Sequence, residues 1–275
     1  MASEGLQGHR ARKRFGQNFL HDRHWIERIA KAVNATEGDD IVEIGPGQAA
    51  LTRELIAGAG KVRAVEIDRD LAAWLKETFP ESLSLIEADA LTLDWTQVAK
   101  NDNLRVVGNL PYNISSPLLF KLLEAADHVK DQHFMLQKEV VDRMVAQHGS
   151  KTYGRLSVML QWRYRMQKLF DVPPGAFNPP PKVMSSVVRM IPKTKEEVPS
   201  VDFELFSSVV ANAFSQRRKT IRNALSALLS AEEIAACDVD PGARDEALPL
   251  DAFVRLAQKA EALGRKAVTP GTTVD

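Results

Sequence analysis

The chain of 275 residues reads as an α/β protein in which a largely parallel sheet carries helices on both faces, followed by a small all-helical C-terminal domain. Three observations lead there. From about residue 40, short apolar runs rich in β-branched residues alternate with longer helical segments, the pattern of βαβ units. Residues 192–199, P-K-T-K-E-E-V-P, have the composition of a linker, with two prolines and four charges. Beyond residue 200 no strand-like alternation appears. The expected division is therefore a first domain over 1–191, a linker over 192–199 and a helical domain over 200–275.

Four strands follow in order. Ile41-Val42-Glu43-Ile44 ends at Gly45, Val62-Arg63-Ala64-Val65 at Glu66, Leu83-Ser84-Leu85-Ile86 runs toward Asp89, and Arg105-Val106-Val107 ends at Gly108-Asn109. Between the first two, Leu51, Leu55 and Ile56 recur at helical spacing; between the next two, Leu71, Trp74, Leu75 and Thr78 do the same. Apolar runs at 133–136, 156–160 and 186–190 are expected as three further strands. In the tail, Phe203, Phe206, Val209, Val210, Ala213 and Phe214 form one helical stripe, and Ile221, Leu225, Leu228 and Leu229 another. Met144, Met159 and Trp162 read as core, and the residues from Thr269 onward as a loose terminus.

Composition narrows the class. Hydrophobic residues at 44% and charged residues at 26% are those of a globular protein, not a disordered or fibrous one. The single cysteine, Cys237, forms no internal disulfide and no multi-cysteine zinc site; it reads as the buried side of a short helix in a reducing compartment. No metal is expected. No apolar stretch approaches the ~18 residues that cross a bilayer. The N-terminus, with Glu4, Arg10, Arg12, Lys13 and Arg14, lacks the hydrophobic segment of a signal peptide. A cytoplasmic protein is expected, monomeric and without a membrane partner.

The chemistry concentrates at strand ends. E-I-G-P-G-Q-A-A at 43–50 is a glycine-rich turn between a strand and a helix, where Gly45 and Gly47 let a ligand approach the backbone. Alone it also fits a dinucleotide fingerprint or an empty tight turn. Glu66 follows Gly45 by 21 residues, Asp89 follows Glu66 by 23, and Asn109 follows Asp89 by 20. All four positions fall on the carboxyl edge of one sheet, where open α/β sheets bind ligands and where a carboxylate can hold a ribose. Any one of them reads equally well as a turn former or helix cap.

Asn109-Leu110-Pro111-Tyr112 separates the readings. Hydride transfer has no evident need for this motif, whereas methylation of an exocyclic amine does. The amine lone pair is conjugated into the ring, so acceptors must draw its hydrogens out of that plane. An Asn oxygen and a backbone carbonyl of the rigid Leu-Pro turn supply two acceptors, and Tyr112 a face for a flipped base.

With these residues in place the sequence resembles the ribosomal RNA adenine N6,N6-dimethyltransferase family, in its bacterial small-subunit branch. The resemblance covers nearly the whole chain: F-G-Q-N-F-L at 15–20, E-I-G-P-G at 43–47, N-L-P-Y-N-I-S at 109–115, L-Q-K-E-V at 136–140, Y-G-R-L-S-V at 153–158, F-N-P-P-P-K-V at 177–183 and Q-R-R-K-T-I-R-N at 216–223. It implies a Rossmann-like methyltransferase sheet and S-adenosyl-L-methionine as cofactor. By that resemblance Asn18, Leu20, Gly45, Gly47, Glu66, Asp89 and Asn109 line the cofactor site. Glu66 holds the ribose, Asp89 the adenine amino group, and Asn18 and Leu20 the side near the amino-acid tail. Asn109, Leu110, Pro111 and Tyr112 then face the target base, with Phe177 stacking on its other side. Gln48-Ala49 stands where many methyltransferases continue with glycine.

The implied partners are small-subunit 16S ribosomal RNA and the immature 30S subunit. The implied product is N6,N6-dimethyladenosine, at two adjacent adenosines of a 3'-terminal hairpin loop. Basic clusters at Arg10, Arg12, Lys13 and Arg14, and at Arg217, Arg218, Lys219 and Arg222, are expected to meet phosphate. Arg218 and Arg222 are placed one helical turn apart. A sparser group, Arg163, Arg165 and Lys168, is as readily a solvated face. Lys+Arg at 36 cancels Asp+Glu at 36, yet residues 35–95 hold five basic residues against thirteen acidic and residues 151–222 thirteen basic against five acidic. The positive segment suggests an RNA-facing surface whose binding weakens with salt. Three alternatives compete: a related large-subunit resistance methyltransferase, an RNA-binding or assembly factor with a dispensable methyltransferase activity, and a nicotinamide dehydrogenase.

Overall fold

The computed structural model describes residues 6, 8, 11, 12, 15–216 and 218–270. Its elements form two compact units, one of residues 1–141 with 165–192 and one of residues 142–164 with 193–275. The chain thus passes between them at 141/142, 164/165 and 192/193, the last at the edge of the proline-rich linker.

The first unit is built around a seven-stranded sheet. Its strands are β2 (Ile41–Ile44), β3 (Val62–Glu66), β4 (Leu83–Glu87), β5 (Leu104–Asn109), β6 (Val129–Gln137), β7 (Tyr164–Val172) and β9 (Ser185–Pro192), in the order β4-β3-β2-β5-β6-β9-β7. The ladders β4-β3-β2-β5-β6 are parallel, and β9 returns antiparallel to β6. The four strands expected first and the runs at 133–136 and 186–190 all lie in this sheet. A short antiparallel pair, β1 (Phe19–Leu20) with β8 (Phe177–Asn178), joins Phe19 to Asn178 and Leu20 to Phe177. Strand order reverses between β2 and β5, which share the register Ile44 to Gly108. That reversal is where a crevice opens in doubly wound sheets.

Local chemistry explains the helices. In α1 (Arg23–Val33) the carboxylate of Asp22 caps the first turn by accepting the His24 amide, and Asn34 closes the helix in the left-handed region at φ 50°. Ile26, Ile29 and Val33 recur at helical spacing and are buried against Leu51, Leu55 and Ala59 of α2 (Ala50–Ala59). Helix α3 (Arg69–Thr78) starts from Asp68, which accepts the Asp70 amide and leaves Leu71, Ala72 and Leu75 buried. At the opposite edge from the crevice, buried Arg105 of β5 is fully engaged. Its guanidinium meets Asp131 at 2.9 and 3.0 Å, Asp39 at 2.7 Å and the Val33 carbonyl at 2.6 Å. Buried cations survive only when so partnered.

The second unit gathers α7 (Arg155–Arg163), α8 (Phe203–Ala213), α9 (Ile221–Ala224), α10 (Ala231–Ala235) and α11 (Leu250–Ala262). The run at 156–160, expected as a strand, is the middle of α7. All five of its residues are buried, the polar Ser157 included, so no exposed position marks a period of either two or 3.6. Tyr153 donates to the Leu248 carbonyl at 2.9 Å, and Phe214 packs on both Tyr153 and Phe253. Met144 and Met159 are buried, and Trp162 lies against Phe203 and Phe206. Cys237 is buried just past α10. Arg218 does not share a helix with Arg222: α9 begins only at Ile221, because Thr220 is drawn into a bridge with Arg244. Among the described residues no helix is long and apolar enough to cross a membrane.

Candidate active site

At the reversal point a cavity of about 290 Å³ opens over the carboxyl ends of β2, β3 and β5, near the lower bound of small-molecule sites. The turn after β2 shapes one wall. Gly45 and Gly47 adopt φ +66° and +55°, left-handed values that glycine takes without strain. A side chain at Gly47 would press on the Phe19 ring at 3.0 Å. At Gly108 the added carbon would come within 2.8 Å of the Ile44 carbonyl, so β5 approaches β2 only because that position is glycine.

Acidic groups line the rim. Glu66, buried at the end of β3, accepts the Asp68 amide at 2.9 Å on one oxygen and the Gly47 amide at 3.3 Å on the other. Burial raises its pKa, and those two amides oppose the rise. A carboxylate has about four acceptor positions, so capacity for hydroxyl donors remains. Asp89, half-buried just past β4, accepts the Leu91 amide at 2.9 Å. Deeper, Glu43 takes the Thr52 hydroxyl at 2.6 Å, and burial pushes its carboxyl up to about 7.

The opposite wall carries Asn109. Its side-chain amide nitrogen donates to the Asn18 carbonyl at 3.0 Å, which keeps its oxygen for the acceptor role, and Asn109 itself lines the cavity. Leu110 is buried with its amide on the Met135 carbonyl, and the Pro111 carbonyl accepts the Ile114 amide. Tyr112 is half-buried and shares a hydrogen bond of 2.7 Å with the Ser185 hydroxyl; burial raises its pKa. His133, Met135 and Val187 also line the cavity. Burial pushes the His133 imidazole down to about 4, so it is neutral at neutral pH.

Asn18, Leu20, Gly45, Gly47, Glu66, Asp89, Asn109, Leu110, Pro111 and Tyr112 thus converge on one cavity. Phe177, expected across the base from Tyr112, is instead 2% exposed; paired with Leu20 and packed beside Val172 and Ala176, it does not line the cavity. Arg12, expected on RNA, turns to the cavity's rim, where its guanidinium meets Asp68 at 3.1 Å and also Asp70. Gln17 reinforces that tie, its amide nitrogen 3.1 Å from Asp68 and its oxygen accepting the Arg12 amide at 2.7 Å. Gln17 lies in F-G-Q-N-F-L at 15–20, but its partner Asp68 is 51 residues on, too far for a local signal of this tie. Arg10, Lys13, Arg14 and Arg217 lie outside the described residues. Arg218, Lys219 and Arg222 are exposed in the second unit. Among the described residues no group of three or more His, Cys, Asp or Glu side chains could hold a metal ion.

Known proteins resemble the chain in sequence and in fold. Residues 8–261 match the ribosomal RNA adenine dimethylase family. A ribosomal RNA small subunit methyltransferase A of Acinetobacter baylyi is 53% identical over 256 residues, covering 92% of this chain and 93% of its own. The protein of the same name from Pseudomonas aeruginosa is 52% identical over 265 residues, with 95% and 99% covered. Among solved structures, a dimethyladenosine transferase from Plasmodium falciparum superposes with a TM-score of 0.79 at 25% identity, covering 91% of this chain and all of its own. The 23S rRNA methyltransferase ErmE does so at 0.69 and 26%, covering 89% and 100%.

Proposed function

The chain belongs to the ribosomal RNA adenine dimethylase family, and from that premise we propose that it dimethylates N6 of adenosines in small-subunit 16S ribosomal RNA with S-adenosyl-L-methionine. Its targets on this reading are two adjacent adenosines of a 3'-terminal hairpin loop in the immature subunit. The observation that carries the proposal is Asn109. The Asn18 carbonyl engages its amide nitrogen and so aims its oxygen toward an amine donor at the mouth of a glycine-walled cavity.

The residues present suit the cofactor. Gly45 and Gly47 leave backbone free to approach it, Glu66 keeps acceptor positions for ribose hydroxyls, and Asp89 stands one strand further for an adenine amine. When bound, S-adenosyl-L-methionine supplies a sulfonium methyl to an attacking nitrogen. The protein's own part is positional. The Asn109 oxygen and the Leu110 carbonyl accept the two N6 hydrogens and draw the lone pair out of the ring, while Tyr112 stacks on the base. Such preorganised acceptors are the larger part of catalysis where no strong base is needed. His133, whose imidazole lines the cavity, has too low a pKa to serve as one at neutral pH.

Incubating the protein with tritiated cofactor and immature small subunits tests the reading. Label is expected in N6,N6-dimethyladenosine of 16S RNA, and Asn109→Ala is expected to abolish it while the protein keeps its melting temperature. Label on large-subunit RNA alone would overturn the substrate assignment. Undiminished labelling by Asn109→Ala would overturn the role of Asn109.

A further inference from the structure

Among the described residues five large hydrophobic side chains are well exposed: Ile67, Val183, Met184, Phe203 and Leu263. Two are chain neighbours, Val183 at 46% and Met184 at 37%, on the short loop from Asn178 to Met184. Both ends of that loop are fastened to the base-facing wall. Asn178 is the ladder partner of Phe19, beside the Asn18 that holds Asn109. Met184 gives its carbonyl to the Lys138 amide at 2.9 Å, and the next residue, Ser185, holds the Tyr112 hydroxyl. Pro179, Pro180 and Pro181 stiffen the intervening backbone by restricting φ. Lys182, also exposed, adds a cation next to the two apolar side chains.

We propose that Val183 and Met184 form an apolar wedge that enters the space an adenosine vacates when it leaves the RNA stack, and so holds the target base in the cavity. The inference rests on the functional reading above and adds to it the means of extrusion. Taking a base out of its stack breaks favourable contacts, which something must replace. Apolar side chains inserted between bases replace those contacts and are a recurring device for holding nucleic acid open. The loop supplies such side chains at the right place: stiff, exposed, and anchored one residue from the hydroxyl that seats Tyr112. Lys182 meets the phosphate that must pass close by when the strand bends. Neither Val183 nor Met184 belongs to the buried core, and each leaves a large part of its apolar surface in solvent.

The test uses immature small subunits reconstituted with RNA carrying 2-aminopurine at the target adenosine, whose fluorescence rises on unstacking. Saturating wild-type protein is expected to raise it strongly. The double variant Val183→Ser, Met184→Ser is expected to keep its melting temperature and its affinity for S-adenosylhomocysteine. At saturation its fluorescence rise should fall severalfold, and kcat/KM on unmodified particles about tenfold. The double variant Val183→Leu, Met184→Leu should restore both. An unchanged rise and unchanged turnover in the serine variant would overturn the wedge. So would weaker particle binding with an undiminished rise at saturation, which would make the loop a docking point on a ribosomal protein. If wild-type protein neither unstacks nor methylates the base, the functional reading fails and the wedge with it.

Discussion

The hydroxyl pair of Tyr112 and Ser185 shows how one contact sets a functional ring. The tyrosine ring is free to rotate about its own side-chain bonds, and a hydrogen bond of 2.7 Å to a fully buried serine fixes its plane. A neutral hydrogen bond contributes about 1 kcal/mol, so Ser185→Ala is expected to lower kcat/KM for RNA about fivefold with cofactor affinity unchanged. Tyr112→Phe should do the same, and the two together no more; a double-mutant cycle with additive losses would separate the pair. Glu43 makes a second residue-scale prediction. With its folded pKa raised from 4.5 to about 7, the native state keeps a proton that the unfolded chain releases between those values. Stability from this group is therefore present below pH 4.5, falls as pH rises through 7, and then levels off. Glu43→Gln removes that slope: thermal melts without cofactor should match wild type near pH 4 and exceed it at pH 8, by on the order of 3 kcal/mol.

Elements meet where small residues let them. Helix α2 passes the end of α1 at Gly58, where an added carbon would lie 2.6 Å from the Ala35 carbonyl oxygen and 2.9 Å from its side chain. In an open helix, glycine to alanine is favourable by about 1 kcal/mol. Here the obstacle is backbone, which yields only if the two segments separate. Gly58→Ala is therefore expected to destabilise, lowering the denaturant midpoint with an unchanged slope. A higher midpoint would show that α1 and α2 have slack at this crossing. The same scale explains the misread run at 156–160: a helix buried on every side carries no face, and pattern alone cannot distinguish it from a buried strand.

At the scale of the molecule, zero net charge hides segments of opposite charge. The acidic excess of residues 35–95 includes the cavity's Glu43, Glu66 and Asp89, and the basic excess of 151–222 includes Lys182, Arg218, Lys219 and Arg222. If those last three neutralise phosphates, each releases counterions. Replacing Lys219 or Arg222 by Ala should weaken RNA binding uniformly and reduce the slope of log affinity against log salt by about 0.7 to 1 per residue. An unchanged slope would remove the residue from the interface. Arg12 belongs to a different account, since its charge is already drawn to Asp68 and Asp70.

The sequence by itself determined the parallel strands and the gathering of Gly45, Glu66, Asp89 and Asn109 on one edge. Strand ends are local features, and parallel register carries successive carboxyl ends to the same side. It also located the change of composition at residue 192. Only the tertiary structure decided which way those side chains face. Asn109 is oriented by a carbonyl 91 residues away, Tyr112 by a hydroxyl 73 residues away, and Arg12 by carboxylates more than fifty residues on. Phe177 is withdrawn into the core by its pairing with Leu20. The reason is the same throughout: backbone form follows from neighbours along the chain, whereas a polar or aromatic side chain takes its direction from whichever partner the fold brings to it.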